Sequence, residues 1–221
     1  RFIYVILIII FICMTYLHTG YLSDNSASDF YVGFALNIKH RSQRLFIIVT
    51  TREPDPVNFT VDTLLGFHFT GVATHNSTTV VTLDNSYQVF DSSERNKGIH
   101  VSAGDKRIVV YGLNYQKGSA DGFLALPCSR LPVDQYEYYA ISYDDIGENV
   151  NPSQLLFVGC EDNTTITFAS TTITLNQMET YLYSVRSDVT GTRVVSNKPI
   201  SFFSGHECTK VPMSQGACDY L

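Results

Sequence analysis

The sequence of 221 residues lacks any cluster of basic side chains. Its 15 Lys and Arg residues are scattered among 21 Asp and Glu residues, and the formal net charge is −6. Binding to a nucleic acid requires clustered Lys and Arg that neutralise phosphates. We therefore expect no nucleic-acid partner, and the mild acidity mainly promotes solubility.

Recognisable catalytic motifs are also missing. The chain has no Gly-x-Ser-x-Gly turn of an α/β-hydrolase and no glycine-rich phosphate loop. The stretch HECTK (206–210) begins like a zinc-protease motif, but Lys210 stands where the second His is required. The sequence therefore predicts no catalytic residues, no metal site and no cofactor. The alternative, an unrecognised extracellular hydrolase or carbohydrate-active enzyme, would need two facing carboxylates about 5–10 Å apart.

Acidic residues do gather in one loop, which contains Asp144, Asp145, Glu148 and Asn149. Calcium prefers several such oxygen ligands, but this spacing fits no EF-hand. A solvated acidic turn is the favoured interpretation. Glu161-Asp162-Asn163 is likewise interpreted as a polar turn that hydrogen-bonds its own backbone before a strand.

An apolar run, FIYVILIIIFICMTYL, occupies residues 2–17. It is shorter than the about 20 residues that span a bilayer, and it is typical of the core of a secretory signal. We expect a signal peptide at residues 1–20, a secreted chain from 21 to 221, and an extracellular location. The alternative is an uncleaved anchor, which would make the chain a membrane-tethered receptor fragment. Because the sequence begins with Arg1 rather than Met, we expect it to be a fragment.

Four of the five cysteines remain after a signal containing Cys13 is removed. In an exported chain they predict two disulfides, with three pairings open. The favoured pairing joins Cys208 to Cys218 and Cys128 to Cys160. Oxidising export disfavours a zinc site built from His206, Cys208 and Cys218. His206 is then expected to be a partly buried, hydrogen-bonded residue at a strand end.

Three acceptor sequons agree with export. They begin at Asn58, Asn76 and Asn163, whereas Pro152 excludes the triplet at Asn151. The sequence therefore predicts N-glycosylation at these three asparagines.

The sequence shows almost no helical periodicity. It consists instead of short runs rich in Val, Ile, Thr, Phe and Tyr, which are separated by Gly, Asn, Asp and Pro. TTITFAS and TTITLN alternate Thr with apolar residues, as strands with one wetted face do. RLFIIVTT and KRIVVYG are more continuously apolar, which indicates strands covered on both sides. The sequence predicts an all-β, β-sandwich-like fold. Nine runs are predicted as strands: RLFIIVTT, STTVVTLD, GIHVSA, KRIVVYGLN, LLFVGC, TTITFAS, TTITLN, YLYSV and PISFFSG.

A weak sequence similarity between two parts of the chain is consistent with two tandem pseudo-repeated β units. Asn58-Phe-Thr-Val, VTL (81–83) and KRIVVYG (106–112) correspond to Asn163-Thr-Thr-Ile, ITL (173–175) and KPISFFSG (198–205). In this alignment the first copy carries about 13 extra residues, LLGFHFTGVATHN, and each unit of about 50 residues buries one face against the other.

A row of tyrosines stands between the two units, in QYEYYAISY (135–143). Strand alternation puts Tyr136 and Tyr138 on one face and Tyr139 and Tyr143 on the other. Such a row can form a binding platform, because Tyr offers a large area with a polar tip. The more ordinary interpretation is an edge strand that packs its rings on a core.

Six segments in order resemble the N-terminal domain of the IgGFc-binding protein family. They are DGFLALP, YEYYAISY, GCEDNTTITF, ITLN, DVTGTRVVSNKPISFFSGHECTKVP and CDYL. The resemblance covers roughly residues 30–221 and is strongest from residue 121 onward. Because the family continues beyond the CDYL element, the domain is expected to be incomplete at its C-terminus.

The resemblance implies a non-enzymatic, secreted adhesion or barrier module associated with mucus or matrix. Its implied partners are extracellular glycoproteins or mucin-like proteins. Immunoglobulin Fc binding gives the family its name, but no motif carries that property residue by residue.

Overall fold

The computed structural model describes residues 25–37, 44–116, 119–129, 135–143 and 151–210. Within these ranges the chain forms seventeen β-strands and a single-turn 3-10 helix at Asn85–Tyr87, so the predicted all-β fold is confirmed. The strands of the first half are β1 (Asp29–Val32), β2 (Phe34–Ala35), β3 (Arg44–Thr50), β4 (Val57–Thr63), β5 (His68–Ala73), β6 (Thr79–Leu83), β7 (Gln88–Val89), β8 (Ile99–Ser102), β9 (Val109–Gln116) and β10 (Ser119–Leu124). Those of the second half are β11 (Tyr136–Tyr139), β12 (Ser153–Gly159), β13 (Thr164–Phe168), β14 (Thr171–Leu175), β15 (Thr180–Val185), β16 (Arg193–Ser196) and β17 (Ile200–His206).

The first β unit is a sandwich of two four-stranded antiparallel sheets. Their strand orders are β1-β8-β4-β5 and β10-β9-β3-β6. Period-2 alternation turns one side of each strand inward. Leu45, Ile47 and Val49 of β3 meet Phe59 and Val61 of β4 in one buried core. A two-residue parallel pair, β2 with β7, lies beside this sandwich.

The second β unit repeats the same architecture with its own core. Its sheets have the orders β11-β16-β13-β14 and β15-β12-β17. Phe157 of β12 lies at the centre, where its ring stacks on Phe202 at 5.1 Å and meets Phe168 at 4.7 Å between ring centroids. Leu155 and Ile166 complete this buried cluster.

The two units share one pattern of strand pairing, as the predicted internal repeat requires. In the first unit β3 pairs with β6 and β9, and β4 pairs with β5 and β8. In the second unit β12 pairs with β15 and β17, and β13 pairs with β14 and β16. β1 and β11 occupy the same edge, beside β8 and β16 respectively. Each strand of the second unit therefore has a counterpart in the first.

Several details of the predicted internal alignment are wrong. Residues 81–83 lie in β6, whose counterpart is β15, whereas residues 173–175 lie in β14. The supposed insertion LLGFHFTGVATHN contains β5, the true counterpart of β14. The predicted alignment matched the wrong strands, because strands with one solvent-facing side share the same alternation of a polar residue such as Thr with apolar residues. Each unit is also larger than about 50 residues and encloses a core of its own.

The two units contact each other through the outer face of β12. Leu156 packs with Ala35 and Val89 of the first unit, and Val158 packs with Tyr31. Main-chain bonds add to this contact, since the N–H of Thr180 donates to the carbonyl of Arg95 at 2.7 Å. Both faces of β12 are consequently buried along its whole length.

Two strands, RLFIIVTT and KRIVVYG, were predicted to be covered on both sides, and this is wrong for both: Tyr111 of the second is 41% exposed, and the first is covered on one side only. Leu45, Ile47 and Val49 are buried, while Phe46 and Ile48 stay partly exposed. The strand that is covered on both sides is β12, for which the sequence made no such prediction.

Candidate functional site

The segment between β10 and β11 is fastened to the second unit by a disulfide. Cys128 is bonded to Cys160, with 6.3 Å between their Cα atoms, which confirms the predicted pair. Cys160 directly follows β12, and the Cys128 sulfur lies 3.3 Å from the hydroxyl of Ser201 on β17. Pro127, directly before Cys128, restricts the backbone at the bridge to an extended or turn conformation. The bridge therefore holds Leu124–Ser129 alongside the edge of β17.

A groove of about 400 Å³ lies between this segment, β11 and β17. Its floor and walls are mainly apolar and aromatic, and Leu126 is 61% exposed at the rim. A volume of this size accepts one or a few side chains of a partner. The lining residues are Leu124, Leu126, Pro127, Cys128, Ser129, Gln135, Tyr136, Glu137, Tyr138, Pro199, Ile200, Ser201, Phe202 and Phe203.

The tyrosine row is divided between two environments. Tyr136 is buried and Tyr138 is half-buried, and both line the groove. The Tyr138 hydroxyl accepts the N–H of Ile200 at 3.3 Å, and burial raises the pKa of this phenol. Tyr139 is exposed on the opposite face, and Tyr143 is half-buried beyond the end of β11. The edge-strand interpretation is thus confirmed for β11, although the strand ends at Tyr139 rather than at Tyr143.

Glu137 forms the charged feature beside the groove. An Nη atom of Arg193 donates to its carboxylate at 2.7 Å, and the Tyr139 hydroxyl donates to the other oxygen. Arg193 is reached across the β11–β16 ladder, where Tyr139 and Arg193 are direct neighbours. The hydrogen bond from Arg193, followed by that from Tyr139, lowers the pKa of Glu137 from 4.5 to about 2.

Substituting Arg193→Ala is expected to raise the pKa of Glu137 most of the way back toward 4.5, because Arg193 is the largest cause of the shift. Tyr139→Phe is expected to give a smaller rise. Since the folded pKa is the lowered one, the pair stabilises the fold fully above pH 4.5 and loses this effect as the pH falls toward about 2. A carboxyl-detected NMR titration measures the shift. The pKa of Asp188, which hydrogen bonds from Thr190 lower in another loop, is the internal control and is expected to stay the same in both variants. An unchanged pKa of Glu137 would contradict the assignment of its shift to Arg193 and Tyr139.

The pKa shifts of the described carboxyl groups all have one direction. Six of these groups have a pKa that departs clearly from its ordinary value, and in all six it is lowered by hydrogen bonds that favour the ionised form. At Asp29 burial is the largest single cause and acts in the opposite direction, but the hydrogen bonds together outweigh it. A glycosidase acid would need a raised pKa. No group of three or more His, Cys, Asp or Glu in the described ranges is placed to hold a metal ion.

His206 ends β17 and is 1% exposed. Its Nδ1 accepts the N–H of Cys208 at 3.2 Å, in agreement with the structural role expected for it. Cys208 is itself a disulfide cysteine. Its predicted partner, Cys218, lies outside the described residues, so that pairing stays a prediction.

The remaining predicted features lie either at exposed positions or in segments outside the described residues. Asn58, Asn76 and Asn163 are all exposed, and Asn163 stands in the polar turn before β13, where its N–H donates to the side chain of Asn176. The acidic loop at 144–149 and the apolar run at 2–17 lie outside the described residues. Within the part that is described, no helix is long and apolar enough to cross a membrane.

Comparison with known proteins adds one finding. No curated protein matches the chain. The family model described as IgGFc binding protein matches residues 121–221, the part where the sequence resemblance is strongest. All residues that line the groove fall within this match. This match supports the assignment of residues 121–221 to the IgGFc-binding protein family, as the resemblance implied.

Proposed function

We propose that the chain is a secreted adhesion or barrier module that binds extracellular glycoproteins through the groove beside the Cys128–Cys160 bridge. The observation that carries the proposal is the coincidence of this groove with the IgGFc-binding match. Immunoglobulin Fc is the first partner to test, and mucin-like glycoproteins are the second. The apolar lining and the exposed Leu126 support contact with another protein.

Binding through such a groove depends on how rigidly it is held. The bridge fixes Leu124–Ser129 before any partner arrives, which reduces the ordering cost of association. An apolar side chain of the partner would enter between Leu126 and Phe202, in the manner of an interface hot spot. The Glu137–Arg193 pair at the side would orient the partner rather than supply most of the affinity.

The proposed export also explains the disulfide-bonded cysteines and the three exposed acceptor asparagines. Disulfide-bonded cysteines are typical of an oxidising compartment. Exposure of Asn58, Asn76 and Asn163 supports their glycosylation, because the transferase requires an accessible acceptor. Mass spectrometry of the secreted chain is expected to find glycans at these three positions.

The groove is tested by Leu126→Asp, which places a charge on its apolar rim. If the groove receives the partner, affinity for immunoglobulin Fc or for a mucin glycoprotein falls by about tenfold or more, measured by surface plasmon resonance. Leu65→Asp is the matched control, since Leu65 is a similarly exposed leucine (47%) in the β4–β5 turn of the first unit. Its substitution is expected to leave binding unchanged.

Two results would overturn this proposal. One is a correctly folded chain, by circular dichroism, that binds neither Fc nor any glycoprotein of a mucin array. The other is binding that Leu126→Asp and Leu65→Asp weaken equally, because the partner would then recognise general surface properties rather than the groove.

A further inference from the structure

The sheet that contains β17 has one strand fewer than the equivalent sheet of the first unit. That sheet has four strands in the first unit, in the order β10-β9-β3-β6, and three in the second, in the order β15-β12-β17. The strand β12 corresponds to β3, and β17 corresponds to β9, because each pair of strands forms the same ladder in its unit. Among the described residues β10 therefore has no counterpart, and no described strand lies beside β17 on its outer edge.

The hydrogen bonds of β17 show which main-chain groups face this outer edge. In an antiparallel ladder, successive residues direct their N–H and C=O groups alternately toward the two sides of the strand. The N–H of Glu207, just after β17, donates to the carbonyl of Pro152, just before β12, at 3.0 Å. Odd-numbered residues of β17 therefore bond to β12, and even-numbered residues such as Phe202 point to the outer edge. Ile200 agrees with this pattern, because its N–H reaches the hydroxyl of Tyr138 outside the sheet.

The first unit shows what occupies the equivalent edge. Val110 of β9 matches Phe202 of β17, since each packs its side chain against the core of its own unit. The carbonyl of Val110 points to the outer edge of its sheet and accepts the N–H of Ala125 at 2.9 Å. The strand β10 continues this ladder, from Leu124 opposite Tyr111 onward. At Phe202, by contrast, no strand in the described ranges pairs with this side.

The groove described above runs along this edge. One wall consists of residues 199–203, another of residues 135–138, and the third of residues 126–129, which the Cys128–Cys160 bridge holds in place. The strand β11 is also the first strand of its own sheet, in the order β11-β16-β13-β14. The groove therefore separates the edges of two sheets, and an edge with unpaired N–H and C=O groups is a template for pairing with another chain.

We propose that the groove receives an extended peptide segment of the partner, which adds to β17 as a further strand at the position that β10 holds in the first unit. This inference rests on the proposed function and specifies what the groove recognises, namely main-chain groups of a polypeptide rather than a glycan. In strand addition the main-chain hydrogen bonds supply affinity, and pockets for alternate side chains supply specificity. The main-chain groups of Phe202 serve the first purpose, and the apolar space beside Leu126 serves the second.

Hydrogen exchange of the full chain, secreted from animal cells, tests whether the edge of β17 is open. Mass spectrometry with electron-transfer fragmentation resolves single amides. In the chain alone, the N–H of Phe202 is expected to exchange at least about tenfold faster than those of Ser201 and Phe203, which bond to β12. If Phe202 exchanges as slowly as Phe203, the chain itself fills this position, and the proposal is overturned.

Peptides selected from a phage library of random dodecapeptides, panned on the full chain, are the probe for strand addition. A selected peptide at saturation is expected to slow exchange at Phe202 by about tenfold or more and to leave Ser201 and Phe203 unchanged. Leu126→Asp is expected to abolish binding of the peptide. Leu65→Asp, the exposed leucine in the first unit, is the control and is expected to bind it as the wild type does.

N-methylation of the selected peptide distinguishes an added strand from a peptide held by its side chains alone. An added strand bonds to β17 through every second residue. N-methylation of one alternate set of peptide amides is therefore expected to weaken binding by about tenfold or more, and N-methylation of the other set is expected to have little effect. Equal effects of the two sets would overturn strand addition.

The failure of this inference can be told apart from the failure of the proposed function. If Leu126→Asp weakens binding to Fc or to a mucin glycoprotein, but the library yields no peptide or the bound peptide leaves exchange at Phe202 unchanged, strand addition is wrong and the role of the groove stands. If a peptide protects Phe202 while neither Fc nor a mucin glycoprotein binds, strand addition stands and the proposed partners are wrong.

Discussion

Replacing Cys128 and Cys160 together by serine is expected to lower the free energy of unfolding of the second β unit by about 4 kcal/mol. The bridge closes a loop of 33 residues, counted from Cys128 to Cys160, and the chain-entropy model gives about this value for such a loop. The same substitution releases Leu124–Ser129 from β17 and opens the groove. Guanidinium unfolding followed by circular dichroism measures the loss. Binding to any groove partner is expected to fall with it.

Ser201→Ala provides the control for this substitution. Ser201 lies beside the bridge, with its hydroxyl 3.3 Å from the Cys128 sulfur, but contributes no covalent link. Its loss is expected to cost about 1 kcal/mol or less. If the serine pair unfolded at the same guanidinium concentration as the wild type, the bridge would not constrain the unfolded chain, and rigidity of the groove would need another source.

Much of the fold could be predicted because sheet strands follow a simple local rule. Thr164–Phe168 and Thr171–Leu175 alternate Thr with Ile, Phe or Leu, and each forms a strand with one buried face. Two of the strands that were missed, β10 and β16, carry no such pattern. β10 contains Gly122 and Asp121, and β16 is a four-residue run, Arg193–Ser196, that starts with a charge. Their strand state is decided by pairing with β9 and β11, which no short window of sequence contains.

Only part of the candidate site could be predicted from the sequence, for the same reason. Cys128, Cys160 and the alternation at β11 could be predicted, because cysteine count and strand period are properties of the sequence. The groove could not, since it forms where Leu126 meets Phe202, 76 positions further along the chain. Arg193 is likewise 56 residues from Glu137, and only the β11–β16 register brings them together.

Leu156→Ala is expected to lower the free energy of unfolding by about 2–5 kcal/mol, the range for a fully buried leucine. Leu156 is 0% exposed, because the first unit covers the outer face of β12. The lost contacts belong to the boundary between the units rather than to either core. We therefore expect the two units to unfold in separate steps, detected as two classes of amide protection in hydrogen exchange.

Ile48→Ala is the matched control, because Ile48 occupies the counterpart position on β3 with the same cross-strand geometry. In dilute solution its side chain is only partly covered, so the cost is expected to be roughly half that of Leu156→Ala or less. Equal costs for the two substitutions would mean that burial by the first unit is not what stabilises β12.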